Sequence, residues 1–370
     1  MKIETFELER TQSLWENTVD YNLTETGVHP FTLDELLKPD ELTKLHALQL
    51  GYGQTNGAIP LREAISALYP DADCDNVQVT NGSIEANFVA LWHLLEAGDE
   101  LVLMLPNYMQ IWGLARSFGV NVKPYYLKEE LNWQPDLDAV RKLITPKTKM
   151  IAVCNPNNPT GAVLTEDAMD EIVRLAAGCG AWLYADEVYR GAELGETETP
   201  TFYGRYEKAI VACGLSKAYA LPGLRIGWLV GPKEEIAAFW GRRDYTTIAT
   251  SVLSNYVATL ALQPELRAQI LRRNRKMLRE NLAALTQWTA SHEGLFRFLP
   301  PQAGGMVFLS YKMEINSTEL ATKLRDEKST FIVAGDCFGM DRRVRIGIGS
   351  ELDYLLEGLE RISETLAEIS

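Results

Sequence analysis

Seven apolar, strand-like runs stand between residues 76 and 231 of this 370-residue chain, at 76–80, 100–105, 121–127, 149–155, 181–187, 208–215 and 224–231. Several are apolar almost from end to end, as strands buried on both faces must be. Helical patterns separate many of them. Within 82–96, Ile84, Phe88, Leu91 and Leu95 recur at steps of four, three and four, one stripe of a helix. Residues 165–177 open on Thr165, Glu166 and Asp167, an acid-rich first turn. Strands alternating with helices predict an α/β fold, with a seven-stranded, mostly parallel sheet covered by helices.

The pattern changes after residue 263. Residues 264–290 read as one long helix carrying the basic stretch Arg272-Arg273-Asn274-Arg275-Lys276. From Phe296 onward short strands and two helices alternate. Ser350 is expected to cap the last helix, with Leu352, Leu355, Leu359 and Ile362 as its buried stripe. At this length one core usually splits in two. The expected division is a large domain over 40–263 and a smaller α+β domain built from 1–39 and 264–370. No internal repeat or low-complexity segment interrupts it.

Net charge is −14, which repels nucleic acid and anionic membrane, so neither is an expected partner. The basic stretch is then expected to be a solvated helix face. Five scattered cysteines without a Cys-x-x-Cys suit reduced thiols in a cytoplasmic protein. The four histidines are far apart and show no metal-site spacing. No apolar run reaches the ~18 residues of a membrane helix. The opening Met1-Lys2-Ile3-Glu4-Thr5 lacks the apolar core of a signal peptide.

The residues that carry chemistry follow the predicted strands, and open parallel sheets bind ligands beyond the carboxyl ends of their strands. Lys217, in Ser216-Lys217-Ala218-Tyr219, follows the run 208–215 and is the candidate nucleophile, able to form a Schiff base with an aldehyde cofactor. A surface loop lysine is the plain alternative. Asp186 ends the run Trp182-Leu183-Tyr184-Ala185 and suits a protonated pyridine nitrogen, or else a helix cap or a magnesium site. Glu187, its neighbour, points to the opposite face and is read as structural. Asn158 and Tyr189 are candidates for a phenolic oxygen, although Asn158 also fits a turn before proline. Gly82, Ser83 and Ile84 open a helix whose free N–H groups suit a phosphate, and Arg225 offers it a charge-assisted clamp. Tyr108, in Pro106-Asn107-Tyr108, suits either a stacked ring or core packing. Arg345 is the candidate for a substrate carboxylate, with Arg343 on the same strand face; Arg342 and Arg343 also suit surface salt bridges. These groups together are what pyridoxal 5'-phosphate (PLP) needs. Gly51-Tyr52-Gly53 does not continue as G-x-G-x-x-G, and no P-loop occurs, so nucleotide-binding readings fail.

In order and spacing, NPNNPTG at 155–161, DEVY at 186–189, SKAYALPGLRIGW at 216–228 and RVRIG at 343–347 resemble the class I/II aminotransferases, fold-type I PLP enzymes. The resemblance runs from about Tyr52 to Gly349. It implies a PLP-dependent aminotransferase acting on L-amino acids and 2-oxo acids, with Lys217 as Schiff-base lysine and proton carrier. It implies Asp186 at the pyridine nitrogen, Asn158 and Tyr189 at the phenolic oxygen, and Tyr108 as the stacking ring. Ser83, Ile84 and Arg225 match phosphate contacts, and Arg345 the carboxylate-binding arginine. Tyr52 matches a tyrosine that reaches the neighbouring subunit's site, which implies an obligate homodimer. Gly214 departs from the family's phosphate-touching hydroxyl residue, and Ser216 is the candidate replacement. The segment from Asn22 to Pro30 resembles the start of capreomycidine synthase-like members, which act on an arginine-derived amino acid; Glu25 is then a candidate to meet a basic side chain, with a solvent-exposed loop glutamate as the plain alternative. The same scaffold runs elimination, decarboxylation and cyclisation, so those lyase and cyclase chemistries stand beside transamination. A PLP-binding module of a transcription regulator is expected to carry a DNA-binding region ahead of Tyr52, and the short acidic segment there leaves no room for one.

Overall fold

The structure is a computed structural model that describes residues 3–369. Met1, Lys2 and Ser370 lie outside it, so the first two residues of the opening Met1-Lys2-Ile3-Glu4-Thr5 fall outside the described residues.

All seven predicted strands form, and they lie in one sheet. Its order is Val77–Thr80, Gly227–Val230, Ala209–Gly214, Trp182–Asp186, Thr148–Cys154, Glu100–Leu105, Asn121–Lys128 and Gln134–Pro135. The last is an eighth, two-residue strand that no periodicity announces. Gly227–Val230 runs against both its neighbours, and Gln134–Pro135 runs against Asn121–Lys128; the other pairs are parallel. Alternate residues feed two separate cores. Leu103, Ala152, Tyr184 and Ile210 pack on one face. Val102, Ile151, Leu183 and Val211 pack on the other. This is the period of two that a strand imposes.

Helix Ser83–Leu94 starts where expected, with Gly82 at its N-cap. Its expected stripe holds at Leu91 and Leu95, which are buried, and at Phe88, which packs half-buried on the core, but not at its first position. Ile84 is exposed, and the buried positions include Ala86, Asn87, Val89, Ala90, Leu91 and Leu94. Helix Glu166–Cys179 is capped by the Thr165 side chain, which accepts from Ala168 N. Helix Pro264–Ala290 runs unbroken from the large sheet to a second, four-stranded antiparallel sheet. That sheet is ordered Phe296–Arg297, Met306–Tyr311, Arg343–Gly347, Val333–Ala334. The basic stretch of the long helix is only partly solvated. Arg273 donates to His29 O and lies over the Phe31 ring, and Arg275 pairs with Glu193. Its guanidinium groups tie the helix to the body of the protein.

Tyr21–Asn22 pairs with Thr330–Phe331, so the N-terminal segment is stitched to the region of the second sheet. The last helix, Leu352–Ile369, buries Leu355, Leu359 and Ile362. Leu352 is exposed, and the first turn closes on Glu351, whose carbonyl accepts from Leu355 N. Ser350 therefore stands one residue too early to cap, and its buried hydroxyl has no partner among the described residues. Among the described residues no helix is long and apolar enough to cross a membrane.

Candidate active site

The turns that follow five strands of the large sheet meet at one end of it. Gly82 and Ser83 follow Val77–Thr80, Tyr108 follows Glu100–Leu105, and Asn158 follows Thr148–Cys154. Tyr189 follows Trp182–Asp186, and Ser216 and Lys217 follow Ala209–Gly214. Tyr108 and Asn158 flank the point where the strand order reverses, the place where open sheets bind ligands. A cavity of about 230 Å³ opens there. Ser83, Ile84, Tyr108, Asn158, Asp186, Tyr189, Ser216, Lys217, Arg225, Arg345 and Glu25 all line it.

Asp186 is buried at the floor. Val188 N donates to its Oδ1 (3.1 Å) and Asn87 Nδ2 to its Oδ2 (3.3 Å). Both partners are neutral, so burial pushes the carboxyl up to about 6 against the pull of those two donors. A buried carboxylate without a cation is costly, and a protonated pyridine nitrogen is the group that fits it. Glu187 does face the opposite side. There Phe202 N and Thr201 Oγ1 donate to its Oε1, and burial pushes it up to about 7.

Gly82 has φ +82°, and a Cβ there would stand 2.6 Å from Arg225 Nη2. The guanidinium therefore lies directly on the helix start whose N–H groups point outward. A helix start and a guanidinium placed together in this way are chemically suited to a phosphate. Gly214 does not line the cavity. A Cβ on it would meet Ile226 O at 3.0 Å, so that position is closed by strand packing, and Ser216 is the hydroxyl that faces the cavity.

Arg345 is buried on its strand. It donates through Nη1 to Asn158 Oδ1 (2.9 Å) and through Nη2 to Thr24 O (2.8 Å), while its Nε has no partner among the described residues. Burial lowers its pKa, as expected of a desolvated cation awaiting an anion. Tyr189 shares a 2.7 Å hydrogen bond with Thr26 Oγ1. Tyr108 donates to Glu9 Oε1 (2.5 Å) and meets the Phe6 ring edge-on. Lys217 Nζ lies 3.3 Å from Glu25 Oε2. Arg343 pairs with Glu129 and lies over Trp133, so it is a half-buried inter-element contact, whereas Arg342 makes an exposed pair with Glu314. Tyr52 stands apart from the cavity and is 88% exposed.

Sequence reasoning missed two groups. Asn87, on the helix facing Asp186, is one. The other is helix Glu7–Trp15 with the turn after it, which brings Glu9, Gln12 and Glu16 to the cavity wall. Their spacing of three and four was the available signal, since it puts them on one helical face.

The comparisons agree with this geometry. Residues 34–362 match the family described as "Aminotransferase class I and II". Capreomycidine synthase of Streptomyces vinaceus is 30% identical over 354 residues, covering 93% of this chain and 89% of that protein. A crystal structure of a PLP-dependent aminotransferase from Streptococcus suis superposes with a TM-score of 0.94 at 34% identity, covering 100% of this chain and 99% of that one. A PLP-dependent cyclase, OrfR, superposes at 0.91 with 27% identity, covering 100% and 99%. With the cavity's carboxylate without a cation, its phosphate-ready helix start and its buried arginine without an anion all suited to the cofactor, the chain belongs to the class I and II aminotransferases, as a PLP-dependent transferase of fold type I.

Proposed function

We propose that this protein moves an amino group between an L-amino acid and a 2-oxo acid in two half-reactions at one site, with ping-pong kinetics. The observation that carries this reading is the meeting of Lys217, Asp186, Tyr189, Asn158, Arg225 and Arg345 around one cavity. PLP, when bound, supplies an aldehyde and an electron-withdrawing ring. Asp186 pairs with the ring's positive nitrogen. Asn158 and Tyr189 hold its phenolic oxygen, and Tyr108 covers its face. Gly82, Ser83 and Ile84, with Ser216 and Arg225, hold the phosphate. Arg345 grips the substrate's α-carboxylate, with Asn158 beside it. Lys217 anchors the cofactor, then takes the proton from Cα and returns it.

We also propose a homodimer in the cytoplasm. Leu50, Tyr52 and Tyr245 are 80%, 88% and 82% exposed, and Ile59, Ile248 and Leu253 add to the exposed apolar surface. A second copy is the natural cover for such surface, and it would bring Tyr52 to the neighbouring site. The five cysteines are free, which suits a reducing compartment.

A second reading keeps the cofactor and changes the chemistry to that of a lyase, decarboxylase or cyclase. Relatives named as a synthase and a cyclase support it. So does the cavity wall, where Glu9, Glu16 and Glu25 face one another and burial and the other two acids push Glu16 up. Glu16 makes no salt bridge or side-chain hydrogen bond among the described residues, so a basic substrate side chain, such as that of an arginine-derived amino acid, would complete it.

The test is a visible-absorbance titration of the holoenzyme with a panel of L-amino acids and no oxo acid. Transamination is expected to release one oxo acid per site and leave the cofactor carrying the amino group. Continued consumption of substrate with the yellow form intact would favour the second reading.

A further inference from the structure

Among the described residues Glu25 is the one acid paired with Lys217. Its place is fixed by backbone contacts on both sides. Leu23 N donates to Phe331 O, and Leu23 O accepts from Gly347 N (2.7 Å). Gly305 N donates to Thr26 O (3.1 Å), and His29 N to Gly349 O (2.6 Å). Three glycines make this approach possible. A Cβ on Gly347 would stand 2.0 Å from Glu25 O; on Gly305 and Gly349 it would stand 2.5 Å and 1.8 Å from Gly27 O. Gly27 in turn abuts the catalytic turn, because a Cβ on it would lie 3.0 Å from Ser216 O. The segment is thus wedged between the second sheet and the Lys217 turn. Thr26 grips Tyr189 and the Thr24 carbonyl grips Arg345. Glu25 stands between these two anchors.

We propose that Glu25 is the charge partner of Lys217, receiving the ammonium whenever Nζ is free and thereby strengthening Nζ as the base that takes the Cα proton. This rests on the PLP reading above. In that step the C–H bond breaks, its electron pair stays on carbon, and the proton becomes the third hydrogen on Nζ; Glu25 remains a carboxylate. The groups facing Nζ divide as the role requires. Burial favours the neutral amine and Arg345 opposes the charge, but Glu25 and Tyr189 outweigh them and raise the lysine. Lys217 is the largest influence on Glu25 and lowers it, with Arg345 adding to the effect against burial. Glu16, behind Glu25 on the N-terminal segment, is raised by burial and then by the charges of Glu25 and Glu9. Glu25 is therefore the ionised partner, and Glu16 remains to meet a substrate cation.

The test reads the lysine's proton directly. The full chain, freed of cofactor, is mixed with PLP, and the rate of yellow-complex formation is followed against pH; only the neutral amine reacts. Glu25→Gln is expected to move the midpoint down by about one pH unit. Glu25→Asp, which keeps the charge, is expected to restore most of that shift. In a single turnover with a Cα-deuterated amino acid, Glu25→Gln is expected to slow proton removal about tenfold. Coincident midpoints for wild type, Glu25→Gln and Glu25→Asp would overturn the inference while leaving the PLP reading intact. A wild-type chain that takes up no PLP would overturn both.

Discussion

Asn87 holds Asp186 from the helix above it, Nδ2 to Oδ2 at 3.3 Å, and its own orientation is set from behind. Tyr184 OH donates to Asn87 Oδ1 (2.5 Å), and Asn87 Nδ2 also donates to Gln110 Oε1 (3.0 Å). With the carbonyl end of the amide occupied by Tyr184, the NH2 end must face the carboxylate. Asn87→Leu fills the space and removes the donor. A hydrogen bond to a charged group is worth ~1.5–3 kcal/mol, so PLP affinity should fall about 10- to 100-fold. Equilibrium PLP titration of the cofactor-free chain measures it, and melting temperature separates this loss from unfolding.

Asp186 itself makes stability depend on pH. Its folded value, about 6, lies above the ordinary 3.8, so its ionisation opposes folding. The penalty is absent below about pH 4 and grows as pH rises through about 6. A shift of about two pH units at ~1.4 kcal/mol each amounts to on the order of 3 kcal/mol at neutral pH. Cofactor-free Asp186→Asn should therefore melt above cofactor-free wild type at pH 7 and level with it at pH 4. Glu187, pushed up to about 7 chiefly by burial, titrates in both proteins; the Asp186 charge adds to its rise, so losing that charge relieves Glu187 as well and moves the variant in the same direction. With PLP present the order should reverse, because the ring's charge has lost its partner.

Lys217, Asp186, Asn158 and Tyr189 were legible because each follows an apolar run, and a parallel sheet delivers the ends of its strands to one place. Glu9, Gln12 and Glu16 were not, because their segment is brought to the site by tertiary contacts, such as Tyr108 to Glu9, and not by the end of a sheet strand. The eighth strand, Gln134–Pro135, is too short to carry a period and contains a proline, which sheets tolerate only at an edge. Ser350 looked like a cap by residue type, yet the helix begins one residue later, a difference that composition cannot register. Ile84 fell on a helical stripe but stands at the helix's exposed mouth, beside the cavity, where the core no longer decides burial.

Gly82→Ala should damage the phosphate end selectively. The position has φ +82°, and the new methyl group would press on Arg225 Nη2 at 2.6 Å. A side chain at such a φ costs on the order of 1 kcal/mol or more, and the guanidinium must also move. PLP affinity should drop about tenfold or more. Affinity for pyridoxal, which lacks the phosphate, should change little.

Lys217→Ala should lower turnover by orders of magnitude, since it removes both the cofactor's anchor and the proton carrier. It should also free Glu25, whose paired cation is gone. The carboxyl, held down chiefly by Lys217, should then rise toward its ordinary value. Carboxylate titration by infrared difference spectroscopy, wild type against variant, reads that rise.

Tyr52 tests the assembly. It is 88% exposed and touches nothing in the cavity of its own chain, although its resemblance assigns it to a phosphate. A tyrosine this exposed has little to stabilise in a monomer, so Tyr52→Phe should leave melting of an isolated chain unchanged. In a dimer its hydroxyl would donate across the subunit boundary to the neighbouring phosphate. Tyr52→Phe should then weaken PLP about tenfold while sedimentation still gives twice the chain mass. Mixing Tyr52→Phe with Lys217→Ala chains sharpens the result. Each mixed dimer holds one site with intact Lys217 and an intact Tyr52 from its partner, so PLP affinity at that site should return to the wild-type value. A monomeric protein would show no such recovery at any mixing ratio.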